Sequence, residues 1–163
     1  MTVIYLRLAS TIFLALNGAW EFLQLPLYTI WWSEPWSRIA FALVHCTAGD
    51  LLIGASALVL AVIVAGPGWL ADKRARRRVV ILTMVVGVGY AIFSEWLNVE
   101  VRQTWAYTDL MPRIPPLGTG LSPVLQWLTV PGLTLRFAPS QSSPERPPDK
   151  TSVPTARSSQ QPQ

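Results

Sequence analysis

Residues 51–99 read "LLIGASALVLAVIVAGPGWLADKRARRRVVILTMVVGVGYAIFSEWLNV", and the two halves of this stretch decide the fold class. Leu51 to Ala71 carries no charge at all. Lys73, Arg74, Arg76, Arg77 and Arg78 follow almost without a break, and from Val79 the chain is uncharged again as far as Glu95. A helical span needs about 20 apolar residues. A short basic segment between two such runs is held on the cytoplasmic side of a membrane. The stretch therefore predicts two spans joined by a cytoplasmic basic loop, residues 72–78.

Two further runs extend the pattern outward. Val3 to Leu25 predicts a first span, ended by Pro26, and Ile39 to Ala65 the second, ended by Gly66-Pro67-Gly68. Val79 to Val99 is the third. Leu121 to Phe137 is short and carries Pro123 and Pro131-Gly132, so it predicts either a Pro-kinked span or a re-entrant segment. The fold class expected is all-α: a polytopic membrane protein with a four-helix transmembrane domain over 1–137. The remainder, 138–163, is rich in Pro, Ser and Gln and predicts a disordered cytoplasmic tail, because it offers too little apolar surface to offset its ordering entropy. The first run is longer than a signal-peptide core and lacks an Ala-x-Ala site, so it is expected to be retained.

Composition agrees. The chain is 51% hydrophobic and 13% charged, with mean hydropathy +0.35, whereas soluble domains carry about 25% charged residues. The net charge of +4 is concentrated in the basic loop and the tail, and no base-stacking or groove-reading element accompanies it, so nucleic acid is not an expected partner. Cys46 is the single cysteine and His45 the single histidine, which excludes an intrachain disulfide and a Cys/His zinc framework. No metal and no cofactor are expected.

Even numbers of spans put both termini in the cytoplasm and the loops 27–38 and 100–120 outside a cell (inner) membrane. Those loops are aromatic. Tyr28, Trp31, Trp32 and Trp36 group at one level, with Trp20, Trp96, Trp105 and Trp127 near it. They suit an interfacial belt, or the walls of a ligand pocket. Ala57, Ala61 and Ala65, with Gly87 and Gly89, are read as seams where helices approach closely.

The informative feature is where the polar residues fall. At 100° per residue Asn17, Glu21 and Gln24 share an arc of about 60° on the outer half of the first span. Glu95, Asn98 and Arg102 do the same on the third. Asp50 lies in the second, with His45 and Cys46 above it, although His45 and Asp50 are about 140° apart around the helix. The fourth adds Ser122 and Gln126, and the preceding loop Trp105, Tyr107, Asp109 and Arg113. The inner halves offer nothing comparable. A charge inside a bilayer costs roughly 2.5–3.5 kcal/mol on insertion scales, and its usual justification is a function.

Glu21, Asp50, Glu95 and His45 are thus the candidate catalytic groups, and Asn17, Gln24, Asn98, Trp105, Tyr107 and Gln126 the candidate ligand-binding ones. Several carboxyls and one histidine in a low-dielectric site suit acid–base work on a lipophilic small molecule arriving from the bilayer. An accessory or assembly subunit with a purely structural network is the alternative, for instance through an Arg102–Glu95 pair or an Asp50–Asn17 hydrogen bond. Passage of a proton or cation is the third reading. The expected partners are the lipid bilayer, a lipophilic molecule, and a membrane-protein partner or a second copy of the chain.

Overall fold

The computed structural model describes residues 2–138, and these are mostly helical. Helix α1 runs Thr2–Gln24 and passes through a single 3-10 turn, Leu25–Leu27, into the short helix α2, Ile30–Ser33. Pro26 sits inside that turn, where the missing N–H stops the α-helical ladder. Helix α3, Trp36–Ala65, begins immediately after Pro35 and ends at Gly66, whose φ of 82° only glycine adopts freely. Helix α4, Lys73–Glu95, continues as a wider π-helical segment over Trp96–Val101. A two-stranded antiparallel ladder, β1 Arg113–Ile114 with β2 Thr119–Gly120, leads into α5, Leu121–Phe137.

Two expectations need correction. The basic residues 73–78 are not a loop: they form the first turns of α4, and the connection is Gly66–Asp72. Asp72 caps the helix by accepting the Arg74 N–H at 2.8 Å, and Lys and Arg are good helix formers once capped. The 121–137 segment, expected as a Pro-kinked span or a re-entrant one, is a single helix. Pro123 lies in the first turn, where its missing N–H has no intrahelical partner to lose, and the helix carries Pro131 internally. Its 17 residues reach about 25 Å. The loop 100–120 also carries the small β-ladder, so the described chain is helical with one irregular, strand-bearing connection.

The main contacts run α1–α3, α3–α4, α4–α5 and α5–α1, so four helices close a ring and each packs on two neighbours. Small residues allow the close approaches. Ala57 and Ala61 are buried to 1% exposure, and Ala65 packs partly buried beside them. Gly87 on α4 seats the Trp127 ring of α5 so closely that a Cβ there would lie 1.9 Å from the indole. Gly89, also expected in the seam, faces open space instead. Trp127 accordingly belongs to the bundle interior, at 3% exposure, and not to an aromatic belt. Trp32 and Trp36 are exposed, as a belt requires.

Near the basic end, Tyr5, Ala9, Ala61, Trp69, Val79, Leu135 and Ala138 form one core cluster. Arg76 turns inward there and donates to the Leu135 carbonyl, one of the last acceptors of α5. Ala138, the first residue of the expected tail, is packed in this cluster. The rest of that segment, 139–163, lies outside the described residues.

Two helices, Trp36–Ala65 and Lys73–Val101, are long and apolar enough to cross a membrane. Their outer faces carry Leu52 (70% exposed), Ile63 (72%), Val64, Val85 and Phe93 without protein cover. A contiguous apolar face of this kind marks membrane or protein contact, because water would not tolerate it on a soluble monomer.

Candidate functional site

The polar residues meet at the end of the ring remote from Lys73–Arg78, and Gln126 is their centre. Its side-chain nitrogen lies 2.9 Å from Asn17 Oδ1, 2.7 Å from Asp50 Oδ2 and 3.2 Å from Glu21 Oε1, so its two N–H groups are shared among three acceptors. Asn17 and Glu21 come from α1, Asp50 from α3, Gln126 from α5. The helices α3 and α5 are not neighbours in the ring, so this amide reaches across the bundle axis. Gln126 and Asn17 are each only 1% exposed.

Local sequence explains the geometry. Asn17, Glu21 and Gln24 are one helical face, and each is buried. Asn17 anchors itself to its own helix by donating to the Phe13 carbonyl at 2.8 Å, which leaves its oxygen free for Gln126. Gln24 donates to Glu21 Oε1 at 2.9 Å and accepts from the Ser122 hydroxyl at 2.8 Å. Ser122 in turn accepts from Trp20 Nε1 at 3.1 Å. A chain of hydrogen bonds thus runs Trp20–Ser122–Gln24–Glu21–Gln126–Asp50. It starts at a groove of about 220 Å³ between α1 and α5, lined by Trp20, Leu23, Gln24, Leu27 and Ser122.

Glu95 forms a second node on α4. Tyr107 donates its hydroxyl proton to Glu95 Oε2 and accepts the Gly120 N–H at 2.9 Å, while the Tyr28 hydroxyl lies 3.4 Å from both Glu95 oxygens. Glu95 remains within Coulombic reach of Glu21 and Asp50. The loop that delivers Tyr107 is strapped to the end of α1. Thr29 N–H donates to Ala106 O and Thr108 N–H to Leu27 O, both at 2.9 Å, and Tyr28 pairs with Tyr107 as an isolated bridge. Trp105 and Met111 pack into the same cluster. The Trp105 indole N–H is turned toward Glu95 but makes no hydrogen bond of normal geometry. A connection this long without helix of its own is characteristic of covering or binding loops.

Not every candidate arrives. His45 is exposed on the outer face of α3, stacked on Phe41 with ring centroids 5.5 Å apart. The 140° that separates it from Asp50 around the helix carries it away from the carboxyls. Asn98 donates to Ser94 of its own helix, at 2.9 Å to the carbonyl, and joins neither node. Arg102 is exposed, so Glu95 is paired with tyrosines and not with that arginine. Cys46 is the residue that sequence reading left aside. It is half-buried on α3, one helical turn from Asp50. Its i, i+4 spacing from Asp50 was the available signal.

The electrostatics are one-sided. Among the described residues the ion pair is Arg38 with Glu34, 3.8 Å apart and exposed on the short connection and α3, and no cation enters the carboxyl group. Glu21 and Asp50 contact the same nitrogen, so their nearest oxygens lie within about 6 Å. Two full charges no farther apart than that repel by at least about 3 kcal/mol at an effective dielectric constant of 20. The pair is suited to sharing a proton or to receiving one. No three His, Cys, Asp or Glu side chains among the described residues are grouped as metal ligands.

Burial, and then the charge of Glu95, pushes the Tyr28 and Tyr107 phenols above their ordinary value of 10.0. A raised folded-state pKa means that their contribution to stability is complete below about pH 10 and is lost as the pH climbs through the folded value. Phenolate absorbance in an alkaline titration should therefore show Tyr28 and Tyr107 ionising late, together with unfolding. Tyr107→Phe removes one of them and leaves the Gly120 N–H and Glu95 short of a partner, at a cost of about 1–3 kcal/mol. It should also loosen the strap, so that maleimide reacts several-fold faster with Cys46. Unchanged labelling and unchanged stability would count against the strap.

Comparison with known proteins found no matching family model, no matching curated protein and no matching solved structure. The chemistry of the site has to be argued from its own geometry.

Proposed function

We propose that the chain is a four-span protein of the cell (inner) membrane, with both termini in the cytoplasm. Its polar site opens on the extracytoplasmic side and binds, or modifies by acid–base chemistry, a lipophilic small molecule. One observation carries the reading: a hydrogen-bond chain links a groove on the bundle surface to two carboxyls that no cation neutralises. In this reading Glu21 and Asp50 exchange a proton, and Gln126 and Asn17 hold them in place. Gln24 and Ser122 relay to the ligand, and Glu95 is a second carboxyl governed by Tyr107 and Tyr28. His45 and Asn98 have no part in it.

The orientation rests on the basic start of α4, since such clusters stay in the cytoplasm. The carboxyls cluster at the opposite end of the same helices. The exposed apolar faces of α3 and α4 are the lipid-facing surfaces.

A second reading has an observation of its own. Gln126 and Asn17 are almost fully buried and spend their side-chain groups on the protein, as a network that only fixes helix positions in an accessory or assembly subunit would. Proton or cation passage has less support, because the core at the basic end is lined mainly by apolar side chains.

Native mass spectrometry and lipid analysis of the purified protein, with and without Glu21→Gln, separate these readings. Binding at the site predicts a lipophilic species that co-purifies with the parent and is depleted in the variant. A purely structural network predicts the same bound species in both, with only the unfolding midpoint changed.

A further inference from the structure

The groove at the end of the hydrogen-bond chain has a definite chemical preference, which follows from counting the valences its polar residues leave open. Trp20, Leu23 and Leu27 give it apolar walls, and Leu23 is 75% exposed, so it opens sideways between α1 and α5 toward the surface that lipid would occupy. Its polar floor is Gln24 and Ser122. Ser122 gives its one proton to Gln24 Oε1 and accepts from Trp20 Nε1, which leaves one lone pair. Gln24 gives one N–H to Glu21 and accepts once from Ser122, which leaves one N–H and one lone pair. The floor therefore offers one donor and two acceptors, all neutral.

No charged side chain lines the groove. The nearest carboxyl, Glu21, lies one hydrogen bond behind Gln24, and its charge disfavours an anionic head. A protonated amine would have no carboxylate to touch and would leave the Gln24 N–H facing a cation. A hydroxyl group, neutral itself, accepts from the open Gln24 N–H and donates to one of the two open lone pairs, so it makes two hydrogen bonds without placing a charge in the groove.

Resting on the reading of this site as a lipophilic-ligand site, we propose that the occupant is a neutral lipid alcohol of the prenol or sterol type. It enters sideways between α1 and α5 and seats its hydroxyl on Gln24 and Ser122, with its hydrocarbon body against Trp20, Leu23 and Leu27.

The test compares three probes of equal chain length, a prenyl alcohol, the corresponding prenyl amine and the corresponding hydrocarbon. Each is offered to the full chain in phosphatidylcholine nanodiscs and read by native mass spectrometry. Two hydrogen bonds of ordinary net strength correspond to about tenfold in affinity, so the alcohol should be retained about tenfold more than the hydrocarbon, and more than the amine. Ser122→Ala should weaken that preference by removing one of the two residues that seat the hydroxyl, and Ser122→Thr, which keeps the hydroxyl, should preserve it. Equal retention of alcohol and hydrocarbon would overturn the assignment. A preference for the amine would overturn it too, while leaving a lipophilic-ligand site intact with its carboxyls binding the ligand directly. Retention of none of the probes, combined with an unchanged lipid profile for Glu21→Gln, would overturn both the alcohol and the site.

Discussion

Gln126→Leu should destabilise the bundle by about 2–4 kcal/mol and strip the site of any bound species. Leucine fills nearly the same volume as glutamine, so no cavity explains the loss. The cost comes mainly from the buried Asn17 Oδ1 and the partly buried Asp50 Oδ2, which lose the Gln126 donor, whereas Glu21 Oε1 keeps the Gln24 N–H. A buried acceptor deprived of its donor costs about 1–3 kcal/mol. Interhelical hydrogen bonds between membrane helices measure smaller than this, about 0.6 kcal/mol on average, which keeps the total below the sum of the full penalties. Gln126→Glu should be worse than Gln126→Leu, because it adds a fourth carboxyl where the donor stood. Reversible unfolding in mixed detergent reads the stability, and native mass spectrometry the bound species. A Gln126→Leu protein as stable as the parent would remove Gln126 from the centre of the network.

Gly87→Ala should cost about 1–3 kcal/mol, the usual penalty for overpacking a filled interior. A Cβ at Gly87 would lie 1.9 Å from Trp127 Cε3 and 2.5 Å from Cδ2, so the indole or the helix must move. The indole has little freedom, since Trp127 is buried and Phe13 of α1 packs on it with ring centroids 6.2 Å apart. A single methyl on α4 therefore displaces α5, and Gln126 is the next residue along. The change should weaken retention of the proposed ligand as well as stability, although Gly87 touches no polar group of the site. Adding Trp127→Phe should restore part of the stability, because the smaller ring makes room for the methyl. The two substitutions are in contact and are expected to be non-additive. If Gly87→Ala left the unfolding midpoint unchanged, the α4–α5 packing described above would be wrong.

Much of the fold was legible because apolar run length and Pro/Gly punctuation are local signals. Pro26 and Gly66 mark helix ends that the sequence shows directly, whereas α3 starts at Trp36, after Pro35, three residues before the expected Ile39. The basic segment was misread as a loop because its one signal of helix is the Asp72 cap. Five positive charges on the first turns of a helix also run against the usual preference for negative charge there. The continuity of α5 through Pro131 was hidden for a related reason. Proline removes one hydrogen bond, and whether the helix survives that loss depends on neighbours such as Met84, which packs against Gly132, that the local sequence does not name.

The sequence by itself determined the helical, lipid-compatible character of the chain, and the grouping of its carboxyls at one end, because both follow from composition and from 100° per residue. It also placed Asn17, Glu21 and Gln24 on one face. Only the tertiary structure decided which faces meet. It took Glu21 and Asp50 to the same amide, Glu95 to two tyrosines, and His45 to the outer surface with Phe41. The reason is that the rotation of each helix about its axis is fixed by contacts between segments far apart in the chain. Gly87 against Trp127 and Gly54 against Phe13 set those rotations. A helical wheel gives the angle between two residues on one helix, but the angle between two helices is a property of their packing.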